Sequence, residues 1–189
     1  MILVVDHYDS FTYNLVQLIE SLGERTEVVK SDAESAAALV ERDPAAVILS
    51  PGPGRPEDAG CFTELLEILP DETPVLGVCL GHQALGIAAG GVVERASPVH
   101  GKASLVHHEG AGILAGVPSP FEAGRYHSLV VRRDGLPADL ELTAWSDDGL
   151  VMAAQSRRLP QFGVQFHPES ILTPDGPTIV RNFLSLARR

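Results

Sequence analysis

The run Pro74-Val-Leu-Gly-Val-Cys-Leu-Gly-His-Gln83 constrains the fold more than any other part of this 189-residue chain. Its apolar half reads as a short buried strand, and a helix-forming segment follows at once. Gly77-Val-Cys79-Leu-Gly81 at the corner has the layout of a nucleophile elbow, with cysteine in the place of serine. Strand end, sharp turn and helix start in immediate succession belong in an α/β sheet. Glycines on both sides of the cysteine remove side chains that would crowd the turn. The first N–H groups of the helix, at its positive end, favour an anion at such a corner.

The rest of the chain alternates accordingly. Ile2–Asp6 is an apolar strand, and a polar turn follows at His7-Tyr-Asp-Ser10. Phe11, Leu15, Leu18, Ile19 and Leu22 then fall at helical spacing, with Gly23 as the stop. Residues 27–30 read as a more exposed strand, 33–42 as an alanine-rich helix, 45–49 as a strand and 62–69 as a helix. This βαβα order predicts one domain over residues 1–189, an open, mostly parallel sheet flanked by helices. After Gly91 the segments shorten: 92–95, 104–106, 129–132, 140–145, 151–155 and 162–166 read as further strands, partly antiparallel and some outside the main sheet. Residues 175–186 close the chain as a helix with Ile179, Phe183 and Leu186 on one face. Sites in such sheets lie at the carboxyl ends of strands. There Cys79, His167 and the loop 50–54 can converge.

Far downstream, Phe162-Gly-Val-Gln-Phe-His167-Pro168-Glu169 offers a base and a carboxylate to orient it. Proline disfavours the α conformation in the residue before it, which predicts an extended His167 at a strand end. Residues i and i+2 of an extended backbone face the same side, so Glu169 can lie beside the imidazole. Nucleophile, base and orienting carboxylate are the parts of a cysteine hydrolase or acyl-transfer enzyme. No further ligand cluster at recognisable spacing accompanies His167-x-Glu169, so no metal centre is expected. Cys61 reads as a small core residue. The stiff loop Ser50-Pro-Gly-Pro-Gly54 leaves its glycine N–H groups bare, and serves equally well as half of an oxyanion hole or as a rigid turn. It is too short for a phosphate-binding P-loop and lacks the lysine.

Charge narrows the partners. Lys and Arg number 14 against 25 Asp and Glu, and the net charge of −11 argues against nucleic-acid binding. No apolar run approaches ~20 residues, which excludes a spanning helix. Met1-Ile-Leu-Val-Val-Asp6 reads as a strand and not as a signal peptide. Two cysteines without framework spacing point to a reducing, cytoplasmic setting.

Gly77-Val-Cys-Leu-Gly-His-Gln83, Ser50-Pro-Gly-Pro-Gly54 and Gly163-Val-Gln-Phe-His-Pro-Glu169 together resemble the signature blocks of class I (triad) glutamine amidotransferases, over essentially the whole chain. Asp6-His-Tyr-Asp-Ser-Phe-Thr-Tyr-Asn14, His100-Gly-Lys102, Arg125-Tyr-His-Ser-Leu129 and Glu169-Ser-Ile-Leu-Thr173 are similar to the glutaminase components of chorismate-using synthases. His7 stands where many relatives carry asparagine, a departure that touches no catalytic position. The resemblance implies a flavodoxin-like fold, with Cys79 as nucleophile, His167 as base and Glu169 as its orienter. It implies backbone N–H groups of Gly52 and Leu80 as the oxyanion hole, and Gly52, Pro53, Gly54, Gln83, Ser128 and Leu129 as the glutamine subsite. His127 takes a structural or interfacial role.

The resemblance further implies L-glutamine as substrate and no cofactor or metal in this chain. A separate chorismate-using synthase subunit would complete a heteromer making anthranilate for tryptophan, with aminodeoxychorismate for folate, or one chain shared by both, as the alternatives. The turn 7–12 and the segment 100–102 are docking candidates on equal terms with ordinary exposed loop. Two other classes compete: a stand-alone γ-glutamyl hydrolase and a non-enzymatic module. The Asp6 to Asn14 block argues against the first, and the intact Cys79, His167 and Glu169 against the second.

Overall fold

The structure, a computed structural model that describes residues 1–187, alternates strand and helix in its first half. In order it runs β1 (Ile2–Asp6), α1 (Thr12–Ser21), β2 (Thr26–Lys30), α2 (Ala36–Val40), β3 (Ala46–Leu49), α3 (Phe62–Ile68), β4 (Val75–Val78) and α4 (Leu80–Ala88). Strands then dominate: β5 (Val93–Arg95), β6 (Lys102–His108), β7 (Phe121–Arg125), β8 (Leu129–Val131), β9 (Leu140–Ser146), β10 (Val151–Ser156) and β11 (Gln161–Val164), before α5 (Gly176–Ala187).

Nine strands form one sheet in the order β2-β1-β3-β4-β11-β10-β9-β6-β7. Pairing is parallel from β2 through β11 and antiparallel from β11 through β7. Strands β5 and β8 pair apart from it. The expected α/β sheet with extra antiparallel strands is the one observed.

Continuous apolar runs such as Ile-Leu-Val-Val in β1 are needed because the parallel strands are covered on both faces. Alternate side chains go to opposite sides. Ile2, Val4, Ile48, Leu76 and Val78 pack with Leu15 and Ile19 of α1 and Ile179 and Phe183 of α5. Leu3, Val5, Val47, Leu49 and Val75 pack with Leu39, Phe62, Leu65 and Ala84 on the other face.

Two expected elements need correction, and one observed strand had no expected counterpart. The helix expected over 33–42 spans only Ala36–Val40, because the Ser35 hydroxyl accepts the Ala38 N–H at 3.2 Å and starts the helix there. The strand expected over 162–166 ends at Val164. Beyond it the backbone turns to other partners, with Gln165 N–H on the Met152 carbonyl (2.8 Å) and His167 N–H on the Gly124 carbonyl (3.0 Å). Strand β7 had no signal of its own in Phe-Glu-Ala-Gly-Arg and exists through its antiparallel pairing with β6. No helix of the described residues is long and apolar enough to cross a membrane.

Candidate active site

Cys79 stands between β4 and α4 with φ +52° and ψ −96°, a conformation that favours glycine. Holding a side-chain-bearing residue there costs about 1–3 kcal/mol. Two backbone bonds impose it: Cys79 N–H on the Val164 carbonyl (2.8 Å), and Gln83 N–H on the Cys79 carbonyl (3.1 Å). The flanking glycines are required by closeness. A Cβ on Gly81 would run into the Leu49 carbonyl, and one on Gly77 into the backbone of Gly81. The helix thus starts directly on top of β3 and β4.

His167 Nδ1 lies 2.6 Å from Glu169 Oε1, with both side chains buried. The two do not meet along an extended strand, as Pro168 had suggested. Residues 167–170 form a turn closed by Ser170 N–H on the His167 carbonyl at 3.1 Å, a role for which proline in second position is well suited. With Nδ1–H donating to the carboxylate, Nε2 is left for Cys79; it is buried and makes no hydrogen bond of good geometry. Burial opposes a charge on this ring, but Cys79 and Glu169 outweigh it and raise its pKa to about 10. These two partners favour a proton on the ring.

Two aromatic rings hold that imidazole edge-on: Tyr126 at 4.9 Å between centroids and Phe11 at 5.2 Å. Phe11 is placed by the turn after β1. There the buried Asp6 carboxylate accepts from Thr12 Oγ1 (2.8 Å) and Asp9 N–H (3.1 Å) and pairs with Lys30. Burial works against the Asp6 charge, but those partners keep its pKa below the usual carboxylate range. Sequence reasoning missed both residues as parts of the site. The available signal was a carboxylate ending an apolar strand, with a threonine six residues on.

A cavity of about 170 Å³ opens at Cys79. Its walls include all six positions expected for glutamine (Gly52, Pro53, Gly54, Gln83, Ser128 and Leu129), with Tyr126 and His127. Leu80 opens α4, where an N–H group has no partner within the helix. Gly52 packs over it: a Cβ there would lie 2.8 Å from Leu80 Cδ2 and 2.7 Å from the His7 carbonyl. Ser50 fixes this loop by accepting the His7 N–H (2.9 Å) and donating to the Pro51 carbonyl (2.6 Å). Part of the turn 7–12 is thus spent on bracing the glycine loop and the histidine, while the segment 100–102 is exposed.

His127 is not a second base. Its Nε2 accepts from Arg125 Nε (3.1 Å) and its Nδ1 meets the Leu129 carbonyl (3.1 Å). Burial and the Arg125 charge lower its pKa to about 4. Cys61 is a buried core thiol, its pKa pushed up to about 11 by burial.

Fold and site together define an α/β enzyme built for thiol-dependent acyl transfer. The family model for glutamine amidotransferase class-I matches residues 3–187, and the chain belongs to that family. It is 48% identical over 191 residues to anthranilate synthase component 2 of Azospirillum brasilense, covering 100% of this chain and 97% of that one. It is 50% identical to the component 2 of Mycobacterium tuberculosis, over 97% of this chain and 81% of the relative. The bifunctional protein TrpGD of Thermotoga maritima is 46% identical over 98% of this chain, which matches 32% of that longer protein. Among solved structures, a putative GMP synthase subunit from Thermoplasma acidophilum superposes with a TM-score of 0.88 at 26% identity, covering 99% of this chain and 93% of that one.

Proposed function

We propose that this chain is the glutaminase subunit of an anthranilate synthase, hydrolysing L-glutamine at Cys79 and passing ammonia to a separate chorismate-using subunit. The observation that carries the reading is one cavity at which a strained cysteine elbow, a carboxylate-bound imidazole and a glycine loop meet. The names of its relatives support the pathway, and their designation as component 2 or beta subunit supports a partner subunit.

The Cys79 sulfur attacks the side-chain amide carbon of glutamine. Backbone N–H groups of Leu80 and Gly52 receive the oxyanion, where loss of one such donor raises a barrier by about 3–4 kcal/mol. The His167 imidazolium gives its Nε2 proton to the departing amide nitrogen, and ammonia leaves a γ-glutamyl thioester behind. His167 then takes a proton from water as its oxygen attacks the thioester carbon. Collapse releases glutamate and restores the sulfur. Glu169 keeps the Nδ1 proton in place through both halves. Gln83, Ser128, Leu129, Pro53 and Gly54 hold the amino-acid end of the substrate. No step needs a cofactor or metal from this chain.

Ammonia released to water becomes mostly ammonium, which is not nucleophilic, so a sheltered transfer to the synthase is required. The test mixes this chain separately with an anthranilate-type and an aminodeoxychorismate-type synthase subunit, with glutamine and chorismate. Glutamine-dependent anthranilate is expected, absent with Cys79→Ala. Glutamine turnover retained by Cys79→Ala overturns the mechanism. Aminodeoxychorismate in place of anthranilate moves the chain to folate synthesis.

A further inference from the structure

Gln165 has a fully buried side chain one residue beyond β11, and the mechanism above leaves it without a task. Its Nε2 lies 3.5 Å from Cys79 Sγ and donates a hydrogen bond to that sulfur. Its Oε1 accepts from Gln83 Nε2 at 3.2 Å. The direction of this amide is dictated by its neighbour. Gln83 Nε2 also meets the Leu129 carbonyl at 2.9 Å, and a carbonyl can only accept. Gln83 must therefore turn its NH2 group this way, and its second N–H faces Gln165. Gln165 in turn has to give its oxygen to Gln83 and its NH2 group to the sulfur. Reversing either amide would set like groups against each other in a buried place, a large penalty.

We infer that Gln165 is a positioning residue for the nucleophile: its N–H···S bond holds the Cys79 sulfur at the cavity and favours its charged form, with the Leu129–Gln83 pair setting the direction. The inference rests on Cys79 being the nucleophile, as proposed above. The other groups around the sulfur have different tasks. His167, with Glu169 behind it, supplies charge and a proton. Tyr126 and His127 share the cavity wall. Gln165 is an uncharged donor whose own protonation does not change between neutral and alkaline pH.

Gln165→Met keeps the length of the side chain and removes the donor, and Gln165→Glu keeps its shape and replaces the donor with an acceptor. The measurement is alkylation of Cys79 by iodoacetamide at about pH 7 and about pH 9.5, located by peptide mass spectrometry so that Cys61 does not contribute. Glutaminase kcat and KM are read beside it on the complex with the synthase subunit. For Q165M, alkylation at about pH 7 is expected to slow about 10-fold and to recover at about pH 9.5, where a thiol ionises unaided. The same variant should lose about 10- to 100-fold in kcat with KM within about 3-fold of the original. Q165E should be slower still at neutral pH, and it carries the comparison if Q165M does not fold. Unchanged alkylation at neutral pH overturns the inference, and so does equal slowing at both pH values, which would mean lost access. Neither result touches the Cys79→Ala test, so the two readings fail separately.

Discussion

Phe11 sets its ring edge-on against the imidazole of His167, with 5.2 Å between centroids and 66° between planes. The contact joins the turn after the first strand to a residue 156 positions later. It gives the Asp6 to Asn14 block a task inside the site, since Asp6 and Thr12 shape the turn that aims the ring.

Removing that ring should loosen the base without touching the substrate. Aromatic pairs contribute about 0.5–1.5 kcal/mol beyond their buried area, so Phe11→Ala should lower kcat by about 3- to 10-fold. KM should hardly move. Steady-state glutaminase kinetics decide; an unchanged kcat would show that Tyr126 and Glu169 hold His167 by themselves.

Gly81→Ala should be severe for a steric reason alone. The added methyl meets the backbone carbonyl of Leu49, which cannot swing away as a side chain could. A loss of about 3 kcal/mol or more is expected in urea unfolding. A near-neutral result would mean that α4 can lift from β3 at little cost.

Backbone strain at Cys79 predicts an order of stability between two variants that lack the sulfur. With φ at +52°, Cys79→Gly relieves a conformation that Cys79→Ala retains. The glycine variant should be the more stable by about 1 kcal/mol, despite the usual entropic disadvantage of glycine. Equal or reversed midpoints would place the strain elsewhere.

The buried histidines give the protein a stability profile with two limbs. Burial lowers His82 to about 3, and burial with the Arg125 charge lowers His127 to about 4. Below about pH 6.5 the unfolded chain binds protons that the folded one refuses, so stability falls from there toward about pH 4. His167 has the opposite sign. Its raised value of about 10 stabilises the fold fully below about pH 6.5, and that contribution fades as pH rises toward 10. Urea midpoints measured across this range should flatten on the acid side in His82→Leu and on the alkaline side in His167→Asn. Unchanged slopes in both variants would mean that other groups govern the profile.

Much of this molecule is legible without coordinates because its signals are local. Apolar runs separated by helical periods specify the parallel strands and their crossovers. Glycines around Cys79 mark the elbow because only they allow a helix to start against two strands. His167-Pro-Glu169 announces an oriented base because two residues of spacing bring the carboxylate within reach. In each case the chemistry is contained in fewer than ten residues.

Tertiary structure decided what depends on residues distant in the chain. It alone brings Phe11 and Tyr126 together against His167, sets Gln165 against the cysteine sulfur, and makes a strand of Phe121–Arg125 by pairing it with Lys102–His108. Pro168 restricts its neighbour in any context, yet the turn over 167–170 is tied to the sheet through the His167 N–H on the Gly124 carbonyl, a residue far back in the chain. The sequence by itself determines which groups can do the chemistry, because that follows from residue type and short spacing. Their orientation and charge state come from packing and burial, which exist only when the whole sheet has formed.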